Sequence, residues 1–173
     1  MLNNTIALTG QLETVQQAKD FLLKITPDGY QKVLKPHFAS SAGAHMRHIL
    51  DHYLALKDGV THGLVNYNKR NRHSNVESCL TTALATWSEI EAWLHEVSEL
   101  DADLAISVIC ETSVNETQNT QTKSTLAREL VFVSSHAIHH FSLLGVISSL
   151  LGNASSANFG VAPSTATYLR QQA

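Results

Sequence analysis

Apolar residues recur at helical spacing in four long stretches. From Asn75 to Asp101, Val76, Leu80, Ala83, Trp87, Ile90, Leu94 and Val97 are spaced 4, 3, 4, 3, 4 and 3. A strand, with its period of two, does not produce that stripe. From Ser124 to Leu151, Leu126, Leu130, Val133, Ala137, His140, Leu144, Ile147 and Leu151 repeat the alternation of 4 and 3, with one histidine in an otherwise apolar line. Ser124 suits the N-cap and Gly152-Asn153 the stop. Leu8, Leu12, Val15, Leu22 and Ile25 lie near one face of a first helix that Pro27-Asp28-Gly29 ends. Ala42, Met46, Ile49, Leu50, Tyr53 and Leu56 define a second, capped by Ser40 or Ser41 and stopped by Asp58-Gly59.

Two stretches between the stripes read as linkers. Residues 59–74 are polar and hold Tyr67, Arg70, Arg72 and His73. Residues 103–123 open with Leu104, Ile106 and Val108 in alternation, the pattern of a short strand or hairpin, and then become a Thr-, Asn- and Gln-rich surface loop. The tail from Gly152 packs back irregularly through Phe159-Gly160-Val161-Ala162-Pro163. The expected fold is all-α: a four-helix bundle, with a short β-hairpin or irregular segment before the last long helix. The 173 residues suit a single domain over 1–173.

Composition narrows the partners. Hydrophobic residues are 43% and charged residues 16% of the chain, a globular balance. The net charge of -3 lacks the basic footprint of a nucleic-acid binder. Cys79 and Cys110 make no CxxC pair, which suits a reducing compartment. The N-terminal MLNNTIALTG has no basic and apolar leader pattern, and Phe141–Leu151 falls short of the ~20 apolar residues that cross a bilayer. The expectation is a cytoplasmic protein, not bound to membrane. A homodimer is compatible with these helices, because bundles often bury a further apolar face against a partner.

The ten histidines add candidate chemistry. His136 and His140 are separated by four residues, hence ~40° apart around a helix and one turn apart along it. Two imidazoles so placed can share one ion. Ala137 stands where an HExxH protease carries its glutamate, so that class is disfavoured. His139 is one step off the line and faces outward or makes a supporting bond. A third ligand comes from His45, His48 or His52 on the second helix; periodicity alone prefers His52 and leaves the others open. The structural alternative for His136 and His140 is a hydrogen-bonded pair inside a bundle, since an apolar line makes an unpartnered imidazole costly by ~1–3 kcal/mol. Other candidates have plainer readings. Arg47 and Asp51 suit a surface i, i+4 pair, Glu129 a helix N-terminal acid, Trp87 and Trp93 core residues, and Cys79 a small buried hydrophobe.

The run from Gly43 to Tyr53, GAHMRHILDHY, together with His136-Ala137-Ile138-His139-His140, resembles the DinB-like superfamily over about residues 8–151. Tyr67 to Arg72 with Glu77, and the tail Phe159 to Thr165, look like a subgroup of it. The resemblance implies a small four-helix bundle with one ligand histidine on the second helix and two on the last. Matched motif by motif, those are His48, which precedes Ile49-Leu50, His136 and His140. It implies a divalent transition metal (zinc, nickel or iron) with open coordination positions, acting on a small-molecule substrate by hydrolysis or thiol-dependent transfer. Phe141-Ser142-Leu143 replaces the polar stretch common after the HxxxH, so no particular substrate is implied, and no catalytic acid or base is identified. A non-catalytic metal-binding or sensing module shares the same residues. A bundle whose histidines bind nothing is the remaining rival.

Overall fold

The computed structural model describes residue 6 and residues 8–172; the N-terminal stretch read for a leader lies largely outside the described residues. Its elements run α1 (Thr9–Lys24), α2 (Pro27–Gln31), α3 (Ala42–His62), β1 (Leu64–Asn66), a 3-10 turn (Asn75–Glu77), α4 (Leu80–Val97), β2 (Ala105–Glu111), β3 (Asn119–Thr125), α5 (Leu126–Leu150) and α6 (Pro163–Gln172).

This overturns the all-α four-helix bundle. The described residues form six α-helices and a three-stranded mixed sheet in the order β1-β2-β3. β1 pairs parallel to β2 and β2 pairs antiparallel to β3. The parallel pair needs a long crossover, and α4 supplies it. Ile106 and Val108 turn inward from β2 at 3% and 8% exposure, so the alternating segment packs one face on the helices. β3 is exposed along most of its length. Its Thr, Gln and Lys residues read as a loop because they carry no apolar alternation, yet they pair with β2 from Ala105↔Thr125 to Glu111↔Asn119. Threonine is a good strand former, and a polar edge with a lysine deters further pairing.

The four long helices α1, α3, α4 and α5 carry the stripes, α1 and α3 each packing against both α4 and α5. The core between them is centred on Trp87, Tyr30, Tyr53, Phe141 and Met46, all fully buried. Ser41 caps α3 by accepting from the Ala44 N–H at 3.1 Å. The helix runs past Asp58-Gly59, ending where Gly63 turns left-handed with φ of 72°. Gly59 is small for a separate reason: a Cβ there would meet Val65 Cγ2 at 2.4 Å, so the start of β1 lies directly on α3. Thr125, one residue beyond the expected Ser124, caps α5. α5 is long and apolar enough to cross a membrane by length and composition, a test that core helices of soluble proteins also pass.

Candidate metal centre

The centre forms where α3 faces α5. On α3, residues 45, 48 and 52 climb one side of the helix; on α5, residues 136 and 140 climb the facing side. Each of His48, His136 and His140 offers a ring nitrogen, and these three atoms lie within 4.8 Å of one another. They are close enough to hold one metal ion, and no other group among the described residues meets the same test. All three rings are partly buried. His48 Nε2 and His136 Nε2 are 3.1 Å apart.

The flanking histidines have other work. His140 Nδ1 lies 3.0 Å from His45 Nδ1, and His45 Nε2 lies 3.0 Å from Ser40 Oγ. His52, favoured by periodicity, is the most buried of the α3 set at 6% exposure. It donates Nδ1–H to the His48 carbonyl at 2.9 Å and lies between the Tyr67 and His136 rings, at centroid distances of 5.3 and 4.1 Å. It is buried deeper than His48, His136 and His140 and is not one of the three converging nitrogens. His139 is exposed, makes a ring contact with His140, and acts through charge on His45, His136 and His140.

The electrostatics favour neutral rings. Burial, then the Arg70 guanidinium, pushes the His48 pKa down to about 2. Burial, then His52, takes His136 to about 3, and burial, then His45, takes His140 to about 4. Burial also lowers His45 and His52. Neutral imidazoles present lone pairs at pH 7 without first losing a proton, as metal ligation requires. Three neutral imidazoles so placed could hold one metal ion.

Around the centre lies a polar frame that the sequence reading underestimated. Arg47 and Asp51 are not a surface pair: a half-buried Arg47 donates to the buried Asp51 at 2.8 Å, with the two side chains 14% and 3% exposed. Arg47 also donates to Glu77 at 2.8 Å. Burial lowers the Arg47 pKa, but its bonds and charge attraction to Asp51 and Glu77 outweigh that and raise it. Asp51 further accepts from the backbone N–H and side-chain amide of Asn71, both at 3.2 Å. Arg70, next in the chain, hydrogen-bonds to His48 Nδ1. Glu129 is 3% exposed and accepts from Tyr67 Oη at 2.7 Å and Ser124 Oγ at 2.5 Å. The i, i+4 spacing of Arg47 and Asp51 was the available signal for part of this frame; the long-range partners had none. Trp87 and Trp93 are core residues, and Cys79 sits part-exposed at the N-cap of α4. A cleft of about 390 Å³ opens between the sheet and α5, walled from the imidazoles by Tyr67 and Phe132.

No family model matches the chain. It is similar to a protein of Rhizopus delemar described as FK506-binding protein 5, 29% identical over 109 residues. The match covers 63% of this chain and 28% of that protein, so the chain spans little more than a quarter of the relative's length.

Proposed function

We propose that this chain is a metal-dependent enzyme acting on a small molecule, with His48, His136 and His140 as ligands of one divalent ion (zinc, nickel or iron). The convergence of three ring nitrogens within 4.8 Å carries the reading. The ordered resemblance to DinB-like proteins supports it and points to hydrolysis or thiol-dependent transfer. Bound there, the ion supplies Lewis acidity and acidifies water or a thiol that reaches it. The protein's own part is to hold three neutral donors in place and leave the remaining positions accessible.

The test uses protein purified without a histidine tag. Elemental analysis finds a transition metal in the wild type and loses it in His136→Ala. An ion at about 100 times its dissociation constant stabilises the folded state by ~2.7 kcal/mol. At ~2–4 °C per kcal/mol for a chain of this size, chelation lowers Tm by about 5–11 °C. Unchanged metal content in His136→Ala overturns the ligand assignment.

One observation favours a sensing or storage module: among the described residues, no carboxylate hydrogen-bonds to the three histidines. Metal-stimulated turnover of a panel of esters, amides and thiol acceptors separates the two readings, because a sensor gives no metal-dependent rate.

A further inference from the structure

Arg70 has no acidic partner within ion-pair distance among the described residues; its hydrogen bond is to His48 Nδ1. That bond is incompatible with a ligated His48. If Nδ1 is the ligand atom, the guanidinium occupies its lone pair. If Nε2 is the ligand atom, a neutral ring carries its proton on Nδ1, and two donors then face each other. Either way an arriving ion releases Arg70 beside the coordination sphere. The three imidazoles are neutral, so the ion keeps its full 2+ charge, and the freed guanidinium adds another. Asp51 attracts the Arg70 guanidinium through its charge but spends its hydrogen bonds on Arg47 and Asn71, so the donors that Arg70 frees on leaving His48 have no acceptor waiting among the described residues.

The geometry points to an anion subsite at Arg70, in which a small-molecule oxyanion, a carboxylate or a phosphate, bridges the released guanidinium and the open side of the metal centre. This assignment rests on the metal-centre reading and names the substrate class for it. A guanidinium suits both anions, since its planar fork pairs with two oxygens at once. Asn71 braces the loop that carries Arg70 through its two bonds to Asp51.

The experiment uses cobalt(II) as a coloured probe on the full chain, with visible absorbance reporting both loading and anion binding. Wild-type protein, Arg70→Ala and Arg70→Lys are loaded and then titrated with acetate and with inorganic phosphate. Arg70→Ala is expected to bind cobalt at least as tightly as wild type, because a competing contact on His48 is gone. It should bind anion about tenfold to a hundredfold more weakly. Arg70→Lys should recover part of that loss but not the two-point geometry. Which of the two anions perturbs the spectrum at the lower concentration identifies the headgroup. Equal anion affinity in wild type and Arg70→Ala, with cobalt bound by both, overturns the subsite and leaves the metal centre standing. A wild type that binds no cobalt overturns both.

Discussion

Asp51→Ala tests whether the polar frame beside the three histidines is structural. The carboxylate is 4% exposed and accepts three hydrogen bonds, one from Arg47 at 2.8 Å and two from Asn71 at 3.2 Å. Breaking a buried ion pair from one side costs ~3–5 kcal/mol when the surviving charge is stranded. Arg47 is not stranded, because Glu77 still accepts from it at 2.8 Å. What disappears is one charge-assisted bond, worth ~1.5–3 kcal/mol, and the Asn71 bonds, whose exposed donors turn to water at little cost. The expected loss is therefore about 2–3 kcal/mol. It appears in urea as a fall in the transition midpoint with an unchanged slope, and in heating as a Tm drop of roughly 4–12 °C. Asp51→Asn keeps an acceptor for Asn71 and should lose less. A loss within about 0.5 kcal/mol for Asp51→Ala, the range of ordinary surface substitutions, refutes the buried-pair argument.

The folded pKa values of His48, His136 and His140 lie at about 2, 3 and 4, below the ordinary 6.5, so between those values and 6.5 the unfolded chain binds more protons than the folded one. Stability of the metal-free protein is thus full above pH 6.5 and falls as pH drops below it; urea midpoints at pH 7.5, 6 and 5 should decline, more shallowly in His136→Ala, and a flat profile contradicts the burial argument. Gly160→Ala should undock the tail, because Gly160 has φ of 70° and an added Cβ would lie 2.4 Å from Ser142 N, in a helix backbone that cannot yield. Hydrogen exchange or limited proteolysis should then show residues 153–172 opening, while protection equal to wild type would contradict the close approach.

How much of this was legible follows from the range of each signal. Helical stripes are local, and the spacings of 4 and 3 mark the long helices because each buries one face against neighbours a few turns away. The sheet was not legible as a whole. Ile106 and Val108 betray β2, but β1 is three residues long with Val65 alone in the core, and β3 is polar and held by hydrogen bonds to β2 rather than by an apolar face. The histidines show the same division. The i, i+4 relation of His136 and His140 is written in the chain, whereas choosing among His45, His48 and His52 depends on the rotation of α3 against α5. Periodicity ranks those three by burial and therefore prefers His52, the ring that lies deepest. His48, less buried than His52, is the one whose ring nitrogen comes within 4.8 Å of those of His136 and His140.

The sheet bears on the site as well as on the fold class. In an all-helical bundle, residues 59–74 would be a loose connection, and Arg70 would wander over the surface. Here the Tyr67 N–H donates to the Ile109 carbonyl at 3.0 Å, and Asn68 accepts from the Glu111 N–H at 2.7 Å and donates to Asn119 at 2.6 Å. Those bonds tie one end of the segment to β2 and β3. Asn71 ties the other end to Asp51 on α3, one helical turn beyond His48. Arg70 lies between the two anchors, so its backbone is fixed while its long side chain stays free to leave His48 and meet a ligand. The conformational entropy of ordering that loop is met by strand pairing and a buried carboxylate, contacts that need not change when an ion or anion arrives. The polar hairpin that the stripes conceal is therefore one of the two supports that place a positive charge at the open side of the three imidazoles.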